Sequence, residues 1–344
     1  MPSFSIDPVK CCSFARVFKR SDFVDNWDHE PKAKVKRNNH FLDASSNNEV
    51  VRSSHNLKLS DNAYRTLKRK INWLFYLAKA RHVKTYNGKD IYNFKVAFIT
   101  LTLSSQQAHS TKEVTNLLFN TFLTEIRQRT NMTNYVWRLE FQKNGNVHYH
   151  LVTDTYLDYY FVRKIWNRIQ KNHGYIDDYK KKHEVLSLSQ YCELYKDRKN
   201  ATFQSLAKSY AEGKKSNWEE PPSVDVKSAH SKTTIAHYLS KYFAKTDEGK
   251  PLCNALDTPE NSANLRIWFC SRSLSKLNSV TNFVAAVNFN IFDMVKTAKK
   301  LFTHFGKYCT VYYYDVKNLT GHSRKFIEML LKDYATKNGY IPTQ

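Results

Sequence analysis

The sequence lacks any long hydrophobic run, and this absence argues against a membrane-spanning protein. The longest charge-free run of the later chain, residues 277–292, contains four asparagines and is too short and too polar to cross a bilayer. No apolar leader follows Met1. The six cysteines show no CxxC spacing, which suits a reducing cytosol better than a disulfide framework or a zinc module. We therefore predict a cytoplasmic protein with no membrane partner.

Acidic residues are few relative to basic ones, and this imbalance indicates a polyanionic partner. The 344 residues include 54 Lys and Arg against 31 Asp and Glu, a net charge of +23. A hydrophobic fraction of 41% and an aromatic fraction of 14% exclude a disordered chain. Residues 96–154 hold only five basic and four acidic side chains. We expect this near-neutral block to carry chemistry, while its basic flanks hold a nucleic-acid backbone.

Hydrophobic periodicity predicts strands and helices in an order typical of an α+β sandwich, an antiparallel sheet with helices packed on it. The predicted strands are residues 95–103, 135–142, 147–153, 223–228, 265–272 and 307–316. One predicted helix begins at Ser60 or Asp61, and a second follows a capping box at 110–113. The other predicted helices cover residues 158–172, 231–245, 290–305 and 323–338.

The same patterns divide the chain into three parts. Residues 1–59 are predicted to be a basic, loosely ordered N-terminal region, and residues 60–275 to be the main domain. Residues 276–344 are predicted to be an α/β extension of unknown role. Within the main domain, residues 175–222 are charged and weakly patterned, which indicates a polar surface insertion.

Two histidines on one predicted strand form the first candidate site. His148 and His150 are two residues apart, so both imidazoles project from one face of the strand. Such a pair can bind a metal, although a strand can also carry two histidines without any metal. Glu140, eight residues upstream of His148 on the preceding strand, is the candidate third ligand.

The loop between these strands decides whether Glu140 joins the histidines. A two-residue Asn144-Gly145 turn would pair Glu140 with Tyr149 and direct the carboxylate to the opposite face. A three-residue loop with a left-handed Gly145 would instead pair Glu140 with His148. We predict the three-residue loop. The resulting set fits a divalent ion; Zn²⁺ is chemically possible, and a phosphate substrate favours Mg²⁺ or Mn²⁺.

A second cluster lies on the predicted helix 231–245. Its sequence YLSKYFAK repeats Tyr-x-x-Lys, so Tyr238, Lys241, Tyr242 and Lys245 fall within one 100° arc. Taken alone, this pattern also describes a basic surface helix with half-buried tyrosines. Together with the histidine strand, it favours a catalytic face.

Three motifs now occur in order: FITLTL at 98–103, VHYHLV at 147–152 and YLSKYFAK at 238–245. They resemble the motifs of the HUH endonucleases, the initiators of rolling-circle replication. The paired tyrosines are similar to those of the two-tyrosine initiators of microvirus-type single-stranded DNA phages. The resemblance spans about residues 60–275 and implies a Rep-like sheet with a ferredoxin- or RRM-like core.

The resemblance also implies roles for individual residues. His148, His150 and Glu140 would bind Mg²⁺ or Mn²⁺, and Tyr238 or Tyr242 would attack a phosphodiester of single-stranded DNA. The products would be a 5′-phosphotyrosyl link and a free 3′-hydroxyl. Lys241 and Lys245 would supply cations, with Lys245 and Arg138 contacting DNA and Thr100 and Thr102 supporting the metal strand. Arg138 in a surface ion pair and purely structural threonines are equally compatible with the pattern.

The implied partners are single-stranded DNA with a replication origin and, in the bacterial host cytoplasm, a helicase and a polymerase. No GxxxxGK[ST] loop occurs in the sequence, so we expect no ATP to be bound. Two rival hypotheses remain at this point. The chain could be a rolling-circle plasmid initiator or two-tyrosine transposase with the same chemistry, or a non-catalytic protein that binds single-stranded DNA by charge and stacking.

Overall fold

The structure of the chain is a computed structural model, and it falls into two compact units. One unit combines Met1–Asn56 with Asn278–Lys337, and the other combines Leu57–Leu277 with Asn338–Gln344. The structure describes residues 3–9, 14–20, 59–85, 87–198, 201–229, 253–258, 265–278, 280–283, 302–305, 309–315 and 318–341.

The elements are numbered in chain order among the described residues. The strands are β1 (Ser3–Val9), β2 (Phe14–Arg20), β3 (Arg81–Lys84), β4 (Asp90–Phe94), β5 (Val96–Thr102), β6 (Tyr135–Phe141), β7 (Val147–Thr153), β8 (Val224–Ala229), β9 (Trp268–Cys270), β10 (Val280–Phe283), β11 (Phe302–Phe305) and β12 (Cys309–Asp315). The helices are α1 (Asp61–Leu77), α2 (Thr111–Glu113), α3 (Asn120–Arg129), α4 (Tyr159–Lys171), α5 (Tyr175–Glu184), α6 (Leu188–Tyr195), α7 (Phe203–Lys215), α8 (Arg272–Ser275) and α9 (Gly321–Lys337). A π-helical stretch, Val114–Phe119, joins α2 to α3.

The larger unit is built on a five-stranded antiparallel sheet in the order β8-β5-β7-β6-β9. Alternate residues of its strands point to one face and form the main hydrophobic core with α3 and α4. Trp166 and Phe122 are fully buried there, with their ring centroids 5.7 Å apart. This arrangement confirms the predicted α+β class and its antiparallel sheet flanked by helices.

The opposite face of the sheet is packed by α1 at the end where Phe98 lies. The rings of Phe75 and Phe98 have centroids 5.8 Å apart. Lys70 of α1 is buried and donates from Nζ to the carbonyls of Ser275 (2.8 Å) and Leu277 (2.6 Å). These bonds tie α1 to the chain that follows β9. His148 and His150 occupy the same face further along β7, beyond the residues that face α1.

Helix starts follow the local signals of the sequence. Ser60 caps α1 by accepting a bond from the amide of Ala63 at 3.2 Å. Ser110 and Glu113 form the predicted capping box of α2. Asp158 caps α4, whose bounds match the predicted helix closely. The predicted helix 231–245 lies outside the described residues.

The segment predicted as a weakly patterned insertion contains three helices, α5, α6 and α7, which the periodicity missed. They enclose a small core of their own around Tyr191, Leu206 and Trp218. Tyrosine, tryptophan and histidine supply most of this core, and they carry polar atoms that dilute a hydrophobic pattern. Because this core is made mainly of aromatic rings, the three helices lack the aliphatic stripe by which a helix is predicted from sequence.

The smaller unit contains an antiparallel sheet in the order β10-β1-β2-β12-β11. The prediction of a loosely ordered N-terminal region is therefore wrong for β1 and β2. The two strands pair with each other, and their outer neighbours, β10 and β12, lie near the other end of the chain, where a local pattern cannot show the pairing. The predicted helix 290–305 is also wrong at its end, where β11 is a strand; residues 290–301 lie outside the described residues. Among the described residues, no helix is long and apolar enough to cross a bilayer.

Candidate metal centre

The loop between β6 and β7 has the predicted three-residue form. Phe141 pairs with Val147, and the amide of Gln142 donates to the carbonyl of Asn146 at 2.8 Å. Gly145 has a φ of +82° and donates from its amide to the carbonyl of Gln142 at 3.0 Å. Glycine adopts this left-handed conformation without steric cost.

This loop places Glu140 directly opposite His148, which confirms the predicted register. Arg138 lies opposite His150 on the same face. A slip of one residue would move Glu140 to the core face. The length of the loop therefore decides whether the carboxylate and the imidazoles meet.

Side chains from outside the hairpin hold this loop in place. Asn146 donates from Nδ2 to the carbonyl of Ser105 at 2.7 Å and accepts at Oδ1 from the amide of Gln107 at 2.9 Å. Asn254 donates from Nδ2 to the carbonyl of Gly145 at 2.9 Å. Sequence reasoning did not identify these anchors, because each depends on a contact between residues distant in the chain.

The three predicted ligands converge on a small volume. Glu140 Oε2 is 3.3 Å from His150 Nε2 and 3.5 Å from His148 Nε2. The two imidazole centroids are 4.5 Å apart, and one candidate ligand atom from each of the three residues lies within 4.8 Å of the others. Among the described residues this is the cluster with the composition and spacing of a metal site.

The charges around this cluster favour the protonation states that a metal requires. Burial alone would raise the pKa of the Glu140 carboxyl, but its contacts with His148 and His150 and the charge of Arg138 hold that pKa well below its usual value. Burial lowers the pKa of His150 to about 4, against the opposing effect of Glu140. At neutral pH the cluster thus contains an ionised carboxylate and a neutral imidazole.

Thr100 and Thr102 lie on β5 opposite His150 and His148, respectively. The Thr100 hydroxyl is 3.2 Å from His150 Nδ1. His150 Nε2 also forms a 3.3 Å hydrogen bond with the ionised Glu140 carboxylate, so without an ion it is Nε2 that donates, and Nδ1 accepts from the Thr100 hydroxyl. With an ion bound at Nε2, Nδ1 would instead carry the proton and donate to Thr100. Thr100 therefore orients the imidazole in the manner expected of a residue behind a metal ligand.

The residues present fit a divalent metal ion. His148 Nε2 is buried, and its 3.5 Å contact with Glu140 Oε2 falls short of a hydrogen bond, although a buried ring nitrogen ordinarily has one. Two imidazoles and one carboxylate also form a common donor set for divalent ions, with positions left open for a substrate. The candidate metal centre therefore consists of Glu140, His148 and His150.

Arg138 and Asp225 are the other charged residues on or near this face of the sheet. Arg138 Nη1 lies 3.3 Å from Glu140 Oε1, so it is part of a buried ion pair rather than a surface one. Asp225 of β8 lies opposite Thr100 and pairs with Lys227 at 2.6 Å; no motif in the sequence marks this residue. The four residues of the Tyr-x-x-Lys motif, Tyr238, Lys241, Tyr242 and Lys245, lie outside the described residues.

The part of the chain that contains the metal cluster is similar to a known protein family. Residues 96–247 match the family model of the replication-associated protein ORF2/G2P. The match covers rather less than half of the chain, and it spans β5 to β8 and the positions of both motif tyrosines. It supports a replication initiator family and, with it, DNA binding and endonuclease activity in general. No curated protein and no solved structure matches the chain significantly.

Proposed function

We propose that this chain is a rolling-circle replication initiator of the HUH type, which nicks single-stranded DNA with a tyrosine nucleophile. The observation that carries the proposal is the convergence of Glu140, His148 and His150 on one sheet face, within a segment that matches a replication-associated family. A protein that bound DNA by charge and stacking alone would not need such a cluster.

The three ligands would hold Mg²⁺ or Mn²⁺ beside the scissile phosphate. When bound there, such an ion would polarise a phosphoryl oxygen and stabilise the charge that develops during phosphoryl transfer. Arg138 neutralises part of the Glu140 charge, and the Thr100 hydroxyl would accept from Nδ1 of His150 when Nε2 holds the ion. The protein side of the site is thus organised before DNA arrives.

Tyr238 or Tyr242 would supply the nucleophile, with Tyr238 slightly favoured for the first cleavage. The phenol oxygen forms a bond to phosphorus while the bond from phosphorus to the 3′-oxygen breaks. The phenol proton is lost, and the departing oxygen takes up a proton to become a 3′-hydroxyl. The product is a 5′-phosphotyrosyl link.

A neutral phenol is a weak nucleophile, and nearby cations would increase the fraction of each tyrosine that is ionised. With an ordinary pKa of about 10, only about 0.1% of a tyrosine is ionised at neutral pH. Lys241 and Lys245, spaced to share a helix face with the tyrosines, would stabilise the phenolate and contact the DNA backbone. Because the phosphotyrosyl bond is reversible, the strand can be rejoined without ATP.

Two tyrosines four residues apart, which is about one turn of the predicted helix, suit a complete replication cycle. One would hold the 5′ end while the other attacks the regenerated junction and releases a unit-length circle. This property favours a microvirus-type phage initiator, acting with host helicase and polymerase in the bacterial cytoplasm. A plasmid initiator or a transposase would use the same chemistry.

The test is a covalent adduct assay. The protein is incubated with Mn²⁺ and labelled single-stranded oligonucleotides tiled across the replicon that encodes it, and adducts are separated in denaturing gels. We expect a denaturant-resistant adduct that EDTA abolishes. The Tyr238→Phe, Tyr242→Phe double variant should form none, whereas Tyr92→Phe, at an exposed tyrosine of β4, should match the wild type.

The outcomes separate the rival proteins. An undiminished adduct in the double variant would show that the nucleophile is another residue. DNA binding with no adduct under any tiling would favour the non-catalytic DNA-binding protein. The genes adjacent to the coding sequence discriminate phage from plasmid, because a phage genome includes a capsid gene.

A further inference from the structure

A cavity of about 330 Å³ lies between the sheet and the helical insertion. Its first wall is the chain that follows β5, including Ser105 and Gln106, together with Asn144 and Asn146 of the β6–β7 loop. Its second wall belongs to α5 and α6. The volume is at the lower end of the range for small-ligand pockets. The proposed nicking chemistry does not use this cavity.

Aromatic rings form much of the second wall and are held in fixed planes. The rings of Tyr179 and His183 have centroids 3.9 Å apart, and the ring of His183 is nearly parallel to that of Tyr195, with an interplanar angle of 7° and centroids 5.9 Å apart. Arg198 covers Tyr195, with its guanidinium carbon 3.6 Å from the ring centroid. Tyr179, His183 and Tyr195 all line the cavity.

Hydrogen bonds through His183 make this wall rigid. His183 Nδ1 donates to the carbonyl of Tyr179 at 2.6 Å, which leaves Nε2 to accept from the hydroxyl of Tyr195. Burial lowers the pKa of His183, so the neutral form that this arrangement requires is favoured. The aromatic surfaces are therefore fixed before any ligand binds.

Polar groups at the cavity remain available to a ligand. Ser105 Oγ is buried and has no hydrogen-bond partner among the described residues. Lys182, which also lines the cavity, forms no ion pair with a described residue. The Asp178 carboxylate also lines the cavity and can accept from a base N–H. Flat aromatic walls, a hydroxyl, this carboxylate and an ammonium group match the chemistry of a nucleobase with its adjoining phosphate.

The cavity lies close to the metal centre along the strands. Asn146 precedes His148 by two residues, and Leu103 follows Thr102, the residue opposite His148. Two residues of strand span about 7 Å. A DNA strand whose phosphate lies at the metal centre can therefore place a neighbouring base near the cavity.

We infer that the cavity binds one unpaired base of the single-stranded DNA next to the scissile phosphate, and that the helical insertion is a base-binding element. This inference rests on the proposed function only for the class of substrate. Binding can be measured in EDTA, where no nicking is expected, so failure of the nicking chemistry and failure of base binding are separate results.

The experiment compares affinities for a short oligothymidylate and an abasic oligonucleotide with the same backbone charge, measured by fluorescence anisotropy in EDTA. Gln106→Trp places a large ring at the exposed rim of the cavity, and Ala108→Trp is its control in the same loop but outside the lining. Lys182→Gln is compared with Lys208→Gln, the same change of charge at an exposed lysine of α7 that does not line the cavity.

For the wild type, we expect the base to improve affinity by at least about fivefold over the abasic strand, the lower bound for one stacked base. Gln106→Trp should reduce that ratio toward one, whereas Ala108→Trp should preserve it. Lys182→Gln should weaken binding more than Lys208→Gln. An unchanged ratio in a folded Gln106→Trp protein would overturn the inference.

Photo-cross-linking provides a second readout that needs no variant. An oligonucleotide containing 5-iodouracil is irradiated with the wild-type protein in EDTA, and cross-linked peptides are identified by mass spectrometry. We expect cross-links to peptides that contain Tyr179 or Tyr195. Efficient cross-linking confined to peptides without cavity residues would also overturn the inference.

Discussion

Replacing Gly145 by alanine tests the loop geometry on which the metal centre depends. Gly145 has a φ of +82°, in the left-handed region, where an L-residue with a Cβ is disfavoured. The nearest heavy atom to an added Cβ is Asn254 Nδ2 at 3.8 Å, an ordinary contact distance. The cost of Gly145→Ala is therefore conformational rather than steric.

Because the cost is conformational, the expected loss of stability is that of one alanine in the left-handed region. A left-handed alanine costs about 1–2 kcal/mol, and in a unit of this size each kcal/mol lowers the Tm by roughly 2–4 °C. We expect a decrease of roughly 2–8 °C for Gly145→Ala. Gly145→Asn should recover most of it, because asparagine tolerates the left-handed region better than alanine does.

Differential scanning calorimetry of the three proteins measures these differences directly, and Mn²⁺ titration of each folded protein checks the site. Because the register is unchanged, both variants should retain the metal affinity of the wild type once folded. Equal Tm values for wild type and Gly145→Ala, or an asparagine variant less stable than the alanine variant, would refute the left-handed loop.

Two further predictions concern the helical insertion and the residue behind His150. Gly213→Ala should destabilise the protein by about 1–3 kcal/mol and lower its Tm, because an added Cβ would lie 2.1 Å from the Trp218 ring. In a helix with free space at this position, the same change would stabilise the protein, so a higher Tm would contradict this packing. Thr100→Val should weaken Mn²⁺ binding by about 10–100-fold in calorimetry, because His150 loses the partner of Nδ1; unchanged affinity would show that Thr100 has no orienting role.

Much of the fold and of the metal centre follows from short-range signals. Alternation in β5 and β7, the Ser110–Glu113 capping box and the Asp158 cap each depend on neighbouring residues. The pairing of Glu140 with His148 was also accessible, since loop length alone determines the register of a hairpin. These features are local, so a single sequence contains the information for them.

The features that were missed depend on contacts between distant residues. Strands β1 and β2 pair with each other, but their outer neighbours are β10 and β12, and no pattern near the N-terminus indicates those two pairings. The insertion packs through Tyr191 and Trp218 rather than through an aliphatic stripe. The anchoring of Gly145 by Asn254 likewise joins residues more than a hundred positions apart.

Calorimetric titration of Mn²⁺ is the measurement that tests the metal centre most directly. We expect one ion per chain for the wild type and at least a tenfold loss of affinity in Glu140→Gln, His148→Ala and His150→Ala. His82→Ala is the matched control, because His82 pairs with the Asp90 carboxylate at 2.8 Å on an exposed hairpin away from the cluster. Wild-type affinity in the three ligand variants would contradict the account, as would a loss confined to His82→Ala.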